Sequence, residues 1–189
     1  AIVEDDVLLA EYTTNYKKTH SQTLLPMLDQ IRNMIELDMS EIDAIAIAAG
    51  PGSFTGLRIG SATAKGLALA LDKQIVSVPT IDAMAYNLWG SNEQICPIMD
   101  ARRNQVYTAS YIWDEDGFKE LSPDEAISIE ECVASCGELL DTVFVGDGVP
   151  VHKAYIEEQL GERAHFVPAS SALQRASSVA MIAGLGRRS

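Results

Sequence analysis

Apolar residues recur at helical spacing through Leu24, Leu28, Ile31 and Ile35, and Met27 and Met34 widen the same stripe. This pattern predicts an amphipathic helix that starts near Ser21 or Thr23, with Pro26 accommodated in its first turn. A methionine-rich stripe of this kind reads first as core and second as an adaptable interface. Ahead of it, Ala1–Val3 and Val7–Thr13 flank the acidic turn Glu4-Asp5-Asp6 and read as a hairpin. Behind it, the apolar run Ile42–Ala49 reads as a buried strand and the stretch from Ser53 to Leu71 as a helix. Gln74–Val78 reads as another strand, Pro79 as a break, and Thr80–Leu88 as a further helix.

The second half repeats this order. Ile95–Met99 and Val106–Trp113 read as strands joined by Asp100-Ala101-Arg102-Arg103-Asn104, and Phe118–Leu121 follows the Asp116-Gly117 turn. Ser128-Ile129-Glu130-Glu131 has the spacing of a capping box and opens a helix. The strand Thr142–Val145, the turn Gly146-Asp147-Gly148 and a helix from Val151 to Leu160 come next. Both halves therefore read as hairpin strands, helix, strand, helix, and the first is one strand short, which leads us to expect an opening strand before Ala1. Duplicated α/β halves with mixed sheets flanked by helices are the architecture of the actin, Hsp70 and sugar-kinase (ASKHA) class. The division falls between lobes 1–93 and 94–189.

Between the strand and the helix of the first half lies Gly50-Pro51-Gly52-Ser53-Phe54-Thr55-Gly56-Leu57-Arg58-Ile59-Gly60. Glycines around Pro51 permit a sharp turn, and Ser53 is a good N-cap. A strand, a glycine turn and a helix N-terminus make either an anion cradle or a plain packing turn, and neither of the standard phosphate-loop spacings is present. Gly52, Gly56, Gly60, Ala64 and Ala68 fall at steps of four along one helical ridge. Each glycine in a helix costs on the order of 1 kcal/mol relative to alanine, so a close approach of another element should compensate. That element is either the chain's own fold or a second protein.

The chain has 189 residues, 47% of them hydrophobic, enough for one sizeable core or two small ones. No apolar run approaches the roughly 20 residues that span a membrane, and nothing resembles a secretory leader. A formal charge of −13 opposes unaided binding of a phosphate backbone, so a nucleic-acid substrate would be held by a partner. Cys96, Cys132 and Cys136 lack a Cys-x-x-Cys spacing and read as buried thiols of a reducing cytosol. Asp100, Arg102 and Arg103 suit either recognition of a carboxylate or phosphate, or a polar hairpin with an internal salt bridge. The acidic runs Glu4–Asp6 and Asp114–Asp116 read as solvated turns.

The paired segments Ala48-Ala49-Gly50-Pro51-Gly52-Ser53-Phe54-Thr55-Gly56-Leu57-Arg58-Ile59-Gly60 and Asp100-Ala101-Arg102-Arg103-Asn104-Gln105-Val106-Tyr107 closely resemble the bacterial TsaB family, formerly YeaZ. His20-Ser21 before the first helix and Gly146-Asp147-Gly148 extend the resemblance along the chain, loosely so over the last twenty residues. The Asp-Thr-Ser-type strand with which the family usually opens has no counterpart here. The resemblance implies a two-lobed ASKHA fold and a cytoplasmic role in making threonylcarbamoyladenosine beside the anticodon of tRNAs. It implies a noncatalytic scaffold for the paralogous transferase TsaD, joined by the ATPase TsaE. In that pathway TsaC makes the threonylcarbamoyl adenylate. tRNA is then reached only through the complex, and ATP or ADP, where it binds, is expected in the complex, its place relative to the shared interface left open.

The TsaD branch holds metal with a His-x-x-x-His pair on the helix after the third buried strand. The matching residues here, Val78 to Tyr86, contain no histidine, and His20, His152 and His165 are the only three in the sequence. No Gly-x-Ser-x-Gly elbow, His-Glu-x-x-His or nucleophilic cysteine motif is present. The expectation is therefore no catalytic, cofactor or metal residues in this chain, and a partner face built from Leu24, Leu28, Ile31 and Ile35 with Gly56, Gly60, Ala64 and Ala68. Two copies of the chain could meet through the same face. The competing expectation is an independent ASKHA enzyme, either a phosphotransferase or a glycoprotease-like metalloprotease.

Overall fold

The computed structural model describes residues 1–15, 20–115, 117–137 and 140–188, with side chains for all of these except 20–22 and 186–188. Its tertiary contacts group into two units, 1–83 together with 175–189, and 84–174. The division read from the sequence fell at 93/94, whereas the contacts break at 83/84 and return the last helix to the first unit.

In the first unit, β1 (Ile2–Glu4) and β2 (Val7–Ala10) form the expected antiparallel hairpin, turning through Asp5 at a positive φ of 50°. The first helix, α1, runs His20–Met34. Its start lies at the edge of the described side chains, and Pro26 sits inside the helix rather than in its first turn. Pro26 has no N–H, so the carbonyl four residues back loses its helical donor. Strand β3 (Ala44–Ala48) is shorter than the predicted Ile42–Ala49 and pairs in parallel with β4 (Gln74–Val78). The crossover between them is α2 (Phe54–Leu71), capped by Ser53 at one end and by Asp72 in the left-handed region at the other. The unit closes with α6 (Ala176–Arg188), whose Val179 and Ala183 pack with Val78 and Ala83 in a small core. Glu11 binds both the amide and the hydroxyl of Ser177, at 3.0 and 2.9 Å, and ties the start of α6 to the strand region.

The second unit is built on a five-stranded mixed sheet of order β7-β6-β5-β8-β9. Here β5 is Gln94–Arg102, β6 Gln105–Asp114, β7 Gly117–Ser128, β8 Thr142–Val145 and β9 Ala164–Phe166. Strands β5 and β8 are central and parallel, and their buried runs Gln94–Met99 and Thr142–Val145 fit strands covered on both faces. Helices α4 (Ile129–Ser135) and α5 (Val149–Leu160) cover one face, where Ile98, Ile129, Val133, Phe144 and Ile156 form the core. Fully burying each such side chain contributes roughly 1.5–3 kcal/mol. The predicted capping box is present at Ser128 and Glu131. Strand β9 and helix α6, neither anticipated, complete the second repeat. Helix α3 (Thr80–Tyr86) completes the first.

The repeat gives the same order in each half: an antiparallel hairpin, a helix, a parallel strand, a helix, a strand and a helix. In the second half β5 lies between the hairpin side and the parallel side of one sheet. Among the described residues of the first half no strand takes that place, and its two ribbons, β1-β2 and β3-β4, are separate two-stranded sheets.

Candidate functional site

The Gly50 turn leaves β3 with Gly50 at a φ of 117° and a cis Gly50–Pro51 peptide. Ala49 N–H donates to Val78 O at 2.8 Å, and Gly50 O accepts from Thr80 N–H at 2.7 Å, so the turn is fixed to the end of β4. At the start of α2, Ser53 Oγ accepts from Gly56 N–H at 3.3 Å and Ser53 O accepts from Leu57 N–H at 2.8 Å. The cap thus takes a donor that an anion would need. What lies beside the turn is an apolar groove of about 370 Å³, floored by Ile47 and Ala49 of the strand side and walled by Phe54, Leu57 and Arg58 of α2. Phe54 is 69% exposed, and the Arg58 guanidinium lies over its ring at 4.0 Å from the centroid. Ala48, Ser61 and Ser77 complete the lining.

The residues of the predicted partner face differ in exposure. Ala64 and Ala68 are buried within the chain's own fold, and a Cβ on Gly60 would touch Ile47 of β3 at 3.6 Å. The ridge from Gly60 to Ala68 therefore faces inward, and Gly56 stands half-exposed beside its own cap. On α1, Ile31 is buried and Leu24, Leu28 and Ile35 are half-buried, so the regular apolar stripe is spent largely on the chain's own packing. Met34, which was read as part of that stripe, is 80% exposed. The reason is general: the residues with cleanest helical periodicity are those a chain needs for its own core.

A second ridge of α2, a partial turn away, points outward: Arg58, Ala62, Gly66 and Ala70 fall at steps of four, and all are exposed. Leu69 beside it is 86% exposed, and a Cβ on Gly66 would meet nothing within 4 Å. With Leu25 at 52% and Met34 on α1, the first unit presents an outward surface of small and large apolar residues on both helices. The sequence held a signal for it, since glycines and alanines occupy both ridges. Only the position of the sheet decides which ridge is free.

The region matching the histidine pair of the TsaD branch forms the end of β4 and α3, with Val78, Ile81, Ala83 and Met84 buried. His152 is buried on α5, its Nε2 without a hydrogen-bond partner among the described residues. His165 on β9 lies 3.7 Å from Glu93 and 3.6 Å from Asp141. The side chain of His20 lies outside the described residues. Among the described residues no cluster of His, Cys, Asp and Glu is arranged to hold a metal ion. No helix among them is long and apolar enough to cross a membrane.

The β5–β6 connection is tighter than the five-residue loop expected. Arg102 pairs with Gln105, and Arg103 and Asn104 turn at φ of 54° and 63°, the signs of a type I′ hairpin. Arg102 is also left-handed, at 65°, and its N–H donates to Asp100 Oδ1 at 2.8 Å. The Asp100 carboxylate thus holds backbone rather than a guanidinium, and neither arginine forms an ion pair among the described residues, so the hairpin lacks the internal salt bridge expected of it there. Asn104 donates to Glu130 at 2.6 Å, joining the tip to α4. On the other side Gly146 and Gly148 press against Ile98, where a Cβ on Gly148 would lie 3.0 Å from Ile98 O. Of the acidic runs, Glu4–Asp6 is exposed, Asp114 binds Lys119 at 2.6 Å, and Asp116 lies outside the described residues.

Residues 7–189 match the family described as TsaD: tRNA N6-adenosine threonylcarbamoyltransferase. The tRNA threonylcarbamoyladenosine biosynthesis protein TsaB of Bacillus subtilis is 33% identical over 96% of this chain and 80% of its own length. Its namesake from Escherichia coli is 37% identical over 69% of this chain and 58% of its own. A solved structure described as YeaZ from Pseudomonas aeruginosa superposes with a TM-score of 0.74 at 25% identity, covering 89% of this chain and 78% of that one. With its duplicated α/β halves and the two motif segments in place, the chain belongs to the TsaB (YeaZ) family, an ASKHA-fold branch of the proteins that the TsaD description covers.

Proposed function

We propose that this chain works in tRNA threonylcarbamoyladenosine synthesis as a noncatalytic subunit that docks on a TsaD-type transferase, with a TsaE-type ATPase joining the pair. The observation that carries this reading is the likeness to proteins named for that pathway, at 33% identity along 96% of the chain. The sequence supports the noncatalytic part, because the positions that hold paired histidines in the transferase branch are Val78 to Tyr86 here. The outward apolar surface of α1 and α2, with Leu25, Met34, Gly66 and Leu69, supports a docking role for the first unit. The acidic balance of −13 supports a division of labour in which the transferase, not this chain, grips the tRNA in the cytosol.

The experiment is reconstitution from purified chains. Threonylcarbamoylation of tRNA is expected when this chain is added to a TsaD-type transferase, a TsaE-type ATPase and a supply of threonylcarbamoyl adenylate. It is expected to vanish when the transferase is left out. Turnover without the transferase, or a stoichiometric zinc or iron in the chain alone, refutes the noncatalytic reading.

A further inference from the structure

The three thiols of the chain meet in the core of the second unit, where no element of the docking role uses them. Cys96 on β5 faces α4, and its Sγ lies 3.7 Å from that of Cys132 and 3.5 Å from Thr108 Oγ1. Cys136, one turn beyond Cys132 at the end of α4, donates its S–H to Cys132 O at 3.4 Å. All three are free and buried. They are also unequal. Cys136 is the most open of them, at 6% against 1–2%, and it caps the end of α4. Hydrogen bonding with Cys96, then Thr142, and the charge of Arg163 hold its thiol below the usual range, while hydrogen bonds with Cys132 and Cys136 and then burial push Cys96 well above it. Cys136 is thus the sulfur nearest solvent, and Cys96 sits at contact distance from Cys132.

We propose that Cys96, Cys132 and Cys136 form an oxidisable site at which a small peroxide ties β5 to α4 through a disulfide. The Cys136 sulfur attacks one oxygen of hydrogen peroxide, an S–O bond forms as O–O breaks, and the departing hydroxide takes the thiol proton to leave as water. Cys96 then attacks the sulfenic sulfur; the S–S bond forms as S–O breaks, and the second oxygen leaves as water with the Cys96 proton. The sum is two thiols and one peroxide to one disulfide and two waters. Cys132 can take the bond over by exchange, attacking the Cys96 sulfur and releasing Cys136 as thiolate. For the Cys96–Cys132 product the sulfurs close by about 1.7 Å, from 3.7 Å to a bond of about 2.05 Å, through side-chain rotation and a small approach of α4 to the sheet.

The test is hydrogen peroxide added to the folded, fully reduced chain, followed by thiol counting and peptide mapping. Two of three thiols are expected to be lost, with Cys96 joined to Cys136 or Cys132 and all three restored by dithiothreitol. Cys136→Ser is expected to slow the loss at least about tenfold, since the thiolate is the reacting form. Cys96→Ser is expected to leave a sulfenic acid on Cys136 that dimedone captures. Circular dichroism and thermal melting establish that each variant is folded, and Cys136→Ala repeats the rate test where serine disturbs the core. The proposal is overturned if all three thiols survive until denaturant is added. It is equally overturned if the only disulfide joins two chains, or joins Cys132 to Cys136, or if Cys136 variants oxidise at the parent rate.

Discussion

Replacing Gly66 with leucine should make the chain more stable and its partner affinity weaker at once. Gly66 lies in the interior of α2, exposed, and a Cβ there meets nothing within 4 Å. The fold has no clash to absorb, and a helix-interior glycine gives way to a good helix former, worth about 0.8–1 kcal/mol. If the outward ridge of Ala62, Gly66 and Ala70 receives the transferase, the added side chain holds the two surfaces apart. A loss on the scale of an interface hot spot, at least about 2 kcal/mol, is roughly thirtyfold in Kd. Ala68→Leu is the counterpart: Ala68 is 7% exposed, so an added isobutyl group overpacks the first unit and should cost about 1–3 kcal/mol. Urea unfolding gives the first quantity, and titration of the purified TsaD-type partner by calorimetry gives the second. Unchanged affinity in a Gly66→Leu chain that is as stable as predicted would refute the outward ridge as the docking surface.

Gly146→Ala should destabilise the second unit by at least about 2 kcal/mol in urea, because a Cβ would run into Ile98 O and Met84 Cε at a φ of 118° that side chains rarely adopt. Hydrogen bonds from the Ser128 backbone and side chain hold the Glu131 carboxyl below its usual range. Its contribution is therefore complete above the unfolded-state value, and it is lost as pH falls through the folded one. The gap in urea midpoint between the parent and Glu131→Gln should narrow from pH 6 to pH 3. Arg102→Ala with Arg103→Ala should leave tRNA modification by the reconstituted complex nearly intact and stability within about 0.5 kcal/mol, since neither guanidinium is paired among the described residues. A hundredfold loss of modification in the folded double mutant would place a functional site at that tip.

Much of this architecture could be read from local chemistry. Ser53 and Ser128 were recognisable as caps, and the apolar runs 42–49 and 142–145 as strands, the first half-buried over 44–48 and the second fully buried, because capping and burial leave their mark on neighbouring residues. Strand β7 was underestimated. It runs to Ser128 through Pro123, tolerable because β7 is the sheet edge, yet nothing local distinguishes an edge strand with proline from a loop. The three-residue β9 was too short to carry a period. Which ridge of α2 faces the sheet was illegible for another reason: Gly56–Gly60–Ala64–Ala68 and Ala62–Gly66–Ala70 are equivalent in composition, and only the lie of β3 under α2 makes one inward and the other outward.

The first unit is discontinuous in the chain, with α6 joining elements synthesised more than ninety residues before it, and Ser177 reaching Glu11 across a separation of 166. The second unit, 84–174, is continuous. During vectorial synthesis the second unit leaves the ribosome whole while the first still lacks the helix that closes its small core. Loop-closure entropy makes the same demand of a refolding chain, since the longest-range contacts form at the greatest entropic cost. The second unit can therefore complete its contacts before the first, which waits for α6. The helices α1 and α2, which carry the outward apolar surface, belong to the unit that α6 closes, so that surface takes its final form only after α6 has been made.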